Sequence, residues 1–265
     1  MLELVQFILP LVEAGALAFA RPLGFIIVFP LFSWLGLQGM IRNVTAIAFG
    51  APFIVLLYTQ IAGSPESFPA EYIVMLAGKE FLVGVTLGVI LGVPFWGAEM
   101  AGAYVDVYRG SSAATVVSPD QMSEPLVSGA VFSIALVAIF LTMGGLRMVL
   151  GVLYESYEIW PFFEILPQVT GDIYPVFIEL LGTVARIALA LGAPLLIAMF
   201  VAELALAFTS RFAPQINIFD AMLSLKNIVF LVVMPPYLYL LARYYGADVL
   251  DLPGLVNIMR QLVAP

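Results

Sequence analysis

The chain has 265 residues, 63% hydrophobic and only 11% charged, with a net charge of −8 and neither Cys nor His. A soluble domain carries about 25% charged residues, so this composition belongs to an integral membrane protein. Without Cys or His there is no disulfide, no thiol chemistry, no Ser-His or Cys-His nucleophile, no HExxH zinc site and no histidine proton relay; basic residues this few and unclustered argue against nucleic acid as a partner.

Crossing roughly 30 Å of hydrocarbon takes a helix of about 20 apolar residues. Six hydrophobic segments meet or approach that length, at 7–37, 43–62, 72–100, 125–153, 175–209 and 219–246. They predict an all-α membrane-type fold of helical hairpins. The first segment lacks the charged leader of a cleaved signal peptide, since its first cation after the initiator is Arg21. The basic residues are scattered singly, so the positive-inside rule leaves the orientation open. Pro22, Pro30, Pro52, Pro94, Pro194 and the Pro235-Pro236 pair interrupt the apolar runs. Each removes an N–H and favours a kink, tolerated in membranes where neighbours satisfy the freed carbonyls.

The third segment contains Gly84, Gly88 and Gly92 at four-residue spacing. They place three side-chain-free positions on one helix face, which predicts close helix packing, expected against other subunits. The most polar linkers are 63–71, 104–124 and 154–174, the last carrying Glu155, Glu158, Glu164 and Asp172. The fifth segment, 175–209, would run roughly 50 Å as one helix, longer than the bilayer core is thick. It returns through RFAPQINIFD into 219–246, so a long hairpin with a proline-containing tip is expected.

Arg21, Glu80, Glu99, Arg186, Glu203 and Lys226 lie within or at the edges of these segments. A charge at the bilayer centre costs about 2.5–3.5 kcal/mol on insertion scales. Three readings stay open for them: snorkelling or pairing between helices, an ion or proton relay, or segments that do not sit in lipid. Enzyme signals fail. Gly78-Lys79 is followed by Glu80 where a phosphate-binding loop needs Ser or Thr, and Ile73 stands where it needs Gly. Asp106 and Asp248 are the nearest candidates for an intramembrane aspartyl pair, but Asp248 lies past its apolar run. No enzyme activity, metal or cofactor is expected.

Residues 104–119, YVDVYRGSSAATVVSP, break two of the most apolar stretches with an Asp, an Arg, a Gly and two Ser. An interhelical turn is one reading and a gate across a pathway is the other.

Two stretches carry a resemblance. Residues 210–227, SRFAPQINIFDAMLSLKN, resemble the R-x-x-P-Q-[LI]-[NS]-[IV]-F signature of the FliR/SctT family, matched at Arg211, Pro214, Gln215, Asn217 and Phe219. Asp106, Arg109, Gly110, Ser111 and Ser112 resemble the family's D-x-x-R-G-[AS]-S segment, although Val107-Tyr108 replaces the polar pair often found there. Members of that family are export-gate subunits of bacterial type III secretion systems. The Asp-x-x-Arg-Gly form and Ser224-Leu225-Lys226 lean toward the injectisome branch, SctT, rather than flagellar FliR.

The resemblance implies one copy assembled with SctR/FliP-like and SctS/FliQ-like subunits into a helical, cone-like pore for unfolded protein. SctU/FlhB-like and SctV/FlhA-like export components and transiting substrates are further implied partners. It implies an inner-membrane location, much of the assembly standing on the periplasmic side. It also implies an SctR-like part over about 1–170 and an SctS-like hairpin over about 171–265. A loop near 105–117 would plug the pore, with Gly110 supplying backbone freedom, Ser111, Ser112, Ala113 and Ala114 small enough for a narrow channel, and Asp106 pairing with Arg109 to hold it shut. A small-solute secondary transporter, with internal pseudo-symmetry and a midplane pocket, and a non-conducting scaffold subunit are the competing functions.

Overall fold

A computed structural model of the chain describes residues 2–63, 68–110, 127–165, 173–212 and 218–244. The elements among them are helices: α1 (Leu2–Val28), α2 (Pro30–Trp34), α3 (Gly39–Ala62), α4 (Ala70–Arg109), α5 (Val127–Thr142), α6 (Gly145–Ile159), α7 (Ile173–Thr209) and α8 (Ile218–Tyr244). Five are long and apolar enough to cross a membrane, or six if α5 and α6 are halves of one broken span. The all-α, multi-pass architecture therefore forms as the hydropathy predicts.

The prolines divide into two kinds. Pro30 starts α2 at its first position, where a missing N–H costs no helical hydrogen bond. Pro22, Pro52, Pro94, Pro194, Pro235 and Pro236 stay inside their helices. The segment expected over 125–153 is broken where Gly144 takes φ 76°, a left-handed conformation that ends α5 and restarts the chain as α6. Helix α4 runs to Arg109, well past the expected end at 100, and so absorbs the start of the polar 104–119 stretch.

The chain forms two compact units. Among the described residues, the first comprises those up to Val93 with Gly144–Ile178, and the second comprises Pro94–Met143 with those from Glu179 to Tyr244. In the first, Leu17 and Ala18 of α1, Leu57 and Ile61 of α3, Ile73 and Leu76 of α4, and Tyr157 and Phe162 share one core. Its helices approach to backbone contact. A Cβ at Gly84 would fall on the carbonyl oxygen of Arg21, and at 2.9 Å from the amide nitrogen of Phe25. One at Gly88 would lie 2.9 Å from the carbonyl of Phe25. From the other side, a Cβ at Gly24 would strike the carbonyl of Phe81, and Gly50 of α3 meets Ala18 in the same way. This corrects the destination expected for the glycine face: α1 of the same chain occupies it at Gly84 and Gly88, leaving no room there for another subunit. Gly92 is buried as well.

The second unit repeats the device. A Cβ at Gly102 of α4 would sit 2.5 Å from the carbonyl carbon of Ser128 in α5, and one at Gly97 would sit 2.7 Å from Cγ2 of Ile187 in α7. Phe95 meets Phe140 edge-on at 5.3 Å, and the Tyr237 hydroxyl of α8 donates to the Leu191 carbonyl of α7 at 2.7 Å.

These contacts set a test. Gly84→Ala forces backbone apart from backbone and should destabilise the detergent-solubilised chain by about 1–3 kcal/mol. Gly78→Ala, where a Cβ meets nothing within 4 Å, should stabilise by up to about 1 kcal/mol through helix propensity. Thermal unfolding of both variants reads the contrast, and equal melting temperatures would remove the α1–α4 contact.

Candidate functional site

Charges in so apolar a chain are the groups whose placement needs a cause. In the first unit they converge on Glu80 of α4. Its carboxylate accepts from Arg21 Nε at 2.7 Å and Arg21 Nη2 at 3.1 Å, a bidentate pairing. Lys79 Nζ lies 2.5 Å from the same carboxylate. Arg21 also donates to Ser156 Oγ at 2.9 Å and to the Trp160 carbonyl at 2.8 Å, and its guanidinium sits 4.0 Å from the Tyr157 ring centroid. Lys79 donates to the carbonyls of Pro161 and Phe162, both at 2.9 Å. Arg21 and Glu80 are wholly buried. The cluster thus ties α1, α4 and the end of α6 through donors that are nearly all used. These contacts join helices, as the pairing reading of the intrahelical charges expects.

The second unit gathers its polar groups around the last turn of α4. Asp106 is fully buried. Its carboxylate accepts from Arg109 Nη2 at 2.7 Å, from the Ser128 amide at 2.8 Å and from the Gly129 amide at 3.4 Å. The two amides lie in the first turn of α5, where helical N–H groups have no partner within the helix and the helix dipole favours an anion. One carboxylate on α4 therefore caps another helix. Arg109 lies 4.1 Å over the Phe230 ring of α8. One residue earlier, the Tyr108 hydroxyl donates to Glu203 of α7 at 2.8 Å, and Lys226 of α8 pairs with that same carboxylate at 2.9 Å while lying 4.1 Å over the Tyr108 ring. The end of α4 is joined in this way to α5, α7 and α8.

Several expectations change on this geometry. The Asp106–Arg109 pair forms, but inside the helix and out of water, not in a solvated loop, because Asp106 is needed at the α5 amides. Of the 105–117 loop, Val105–Arg109 is helical, and Gly110 ends the helix at φ 80°, a conformation that favours glycine. Ser111, Ser112, Ala113 and Ala114 lie outside the described residues. So do Pro214, Gln215 and Asn217. Arg211 lies in an exposed turn, Phe212 beside it is 90% exposed, and Phe219 enters the first turn of α8. Of the six intrahelical charges, Arg21 pairs with Glu80 and Glu203 with Lys226, whereas Glu99 and Arg186 are exposed. No group of three metal-ligating side chains occurs among the described residues. Sequence reading passed over Tyr108 and Ser128. Tyr108 stood out only as a departure from the family's polar pair, and nothing at Ser128 announced that its amide would be capped from 22 residues away.

A multi-pass helical membrane protein whose buried charges join its own helices is the class these features define. The family model for "Bacterial export proteins, family 1" matches residues 12–251, and the chain belongs to that family. It is 34% identical over 174 residues to the Yop proteins translocation protein T of Yersinia pestis, covering 65% of this chain and 67% of the relative. It is 30% identical over 237 residues to the secretion system apparatus protein SsaT of Salmonella typhimurium, covering 87% and 89%. To the flagellar biosynthetic protein FliR of Bacillus subtilis it is 28% identical over 265 residues, covering 97% of each. These identities fit the lean toward the injectisome branch.

The buried clusters carry a measurable cost. Glu80→Gln leaves Arg21 and Lys79 in the core without a counter-charge and should destabilise by about 3–5 kcal/mol. Asp106→Asn weakens charged hydrogen bonds to two amides and a guanidinium, and about 1.5–3 kcal/mol is expected, against about 0–1 kcal/mol for a solvated pair. Resistance to thermal unfolding in detergent, measured side by side, should fall in that order.

Proposed function

We propose that this chain is a subunit of a type III secretion export gate, most akin to the injectisome members of its family. The match to the bacterial export family over residues 12–251 carries the reading. In this proposal the chain joins SctR/FliP-like and SctS/FliQ-like subunits in the bacterial inner membrane, much of the assembly standing on the periplasmic side. Residues up to about 170 act as the SctR-like part and those from about 171 as the SctS-like hairpin. SctU/FlhB-like and SctV/FlhA-like export components are further partners, unfolded protein substrates transit the pore, and the energy source lies in other components.

The segment following Gly110 is the proposed plug. A closed polypeptide channel has to exclude ions, while an exporting one has to admit an extended chain. No rigid hole does both, so a displaceable element is required, and rearrangement of a segment is a known switching device. The Asp106 junction supports this reading. It fixes the residues on both sides of the segment, since Arg109 precedes it and Ser128 and Gly129 follow it. The segment can then move while its flanking helices stay in place.

Deleting Gly110–Ala113 should raise the ionic conductance of the assembled complex in a planar bilayer. An intact assembly that conducts at the wild-type level after the deletion would return the stretch to an interhelical turn and place the gate in a partner. At the hairpin tip, Arg211→Ala should abolish secretion while the chain remains inserted in the membrane, because the exposed guanidinium is the proposed docking contact to an acidic group of the assembly.

A further inference from the structure

Helix α7 has 37 residues and a length of about 55 Å, against roughly 30 Å of hydrocarbon. Its buried stripe runs through Leu180, Ala188, Leu191, Leu195 and Met199. On another side it exposes Glu179 and Arg186, which are seven residues, or about two turns, apart and therefore share a face. Neither side chain makes an ion pair or hydrogen bond to a described residue. Between them on that face lies Gly182, also exposed, where an added Cβ would meet nothing within 4 Å. Leu189, three residues beyond Arg186 on the same face, is 58% exposed.

This mixture is unsatisfied in either solvent. In lipid, each unpaired charge costs about 2.5–3.5 kcal/mol near the midplane. Arg186 lies about 20 Å along α7 from its start at Ile173 and about 35 Å from its end at Thr209. Raising this part of α7 out of the bilayer relieves the charges but leaves the large apolar side chains in water. A protein surface with opposite charges removes both costs. Gly182, a residue that weakens its own helix and packs against nothing among the described residues, supplies the notch at which a second backbone can approach.

We propose that the Glu179–Gly182–Arg186 face of α7 is a docking surface for an apolar helix of another subunit. That helix carries a basic residue opposite Glu179, an acidic residue opposite Arg186 two turns along, and a close backbone approach at Gly182. The inference rests on the hetero-oligomeric reading above and adds the face, the spacing and the charge order of one contact. A second copy of this chain could satisfy the same pattern only in antiparallel register.

The chain contains no Cys, so Leu189→Cys gives a single reporter thiol on the same face and leaves the notch at Gly182 unfilled. The variant, purified alone and in complex with co-expressed SctR-like and SctS-like subunits, is reacted with a water-soluble and a membrane-permeant maleimide. Labelling should proceed readily in the free chain and fall by at least about tenfold with both reagents in the complex, as expected for a desolvated interface. Arg186→Glu should lower recovery of the complex by at least about tenfold, because it sets like charges together in a buried contact, and an acid-to-base change in the facing helix should restore it. Undiminished labelling by the permeant reagent would mean a lipid-facing surface, and by the soluble reagent a water-filled one. Either result overturns the proposal, as does protection seen only in a homodimer. Should the wild-type chain bind neither subunit, the export-gate reading fails with it; a complex that forms but leaves the reporter thiol open to labelling sinks this inference alone.

Discussion

Desolvating a charge among apolar helices is so costly that each buried charge dictates which helices meet. In the first unit, one carboxylate, Glu80, answers two cations and thereby fixes α1 and the end of α6 against α4. In the second unit, one carboxylate, Asp106, answers a guanidinium and two helix-terminal amides. Both sit on the 40-residue α4, which supplies the acidic half of each junction. Glycine does the complementary work. Gly84, Gly88 and Gly102 bring backbones close enough for those short polar contacts to form.

The two clusters differ in what they permit. Arg21 uses nearly every donor within the chain, so the first cluster is closed and serves cohesion. The second is built around a helix end and a helix start that flank the same sixteen-residue stretch, 111–126. Its hydrogen bonds terminate secondary structure as well as joining it.

Exposed charge and exposed apolar surface share one face of α7, and the proposed subunit contact would cover both. At about 55 Å, α7 is also longer than the roughly 30 Å of a bilayer core.

Much was legible in the sequence. Hydropathy alone determined the all-α membrane class and the approximate segments, because burying main-chain polar groups in an apolar medium leaves few options besides helices. The motifs around Asp106 and Arg211 identified the family. Periodicity also placed Gly84 and Gly88 on one face, since helical geometry is local. What covers that face was not local: only the packed chain assigned it to α1. The same holds for Asp106, whose spacing to Arg109 suggested a pair but whose amide partners belong to the next long helix, 22 and 23 residues further on. Tyr108, Glu203 and Lys226 come from three different helices. No spacing rule joins residues separated by about a hundred positions, so that network was decided by the tertiary structure, where the cost of desolvating each charge selected its partner.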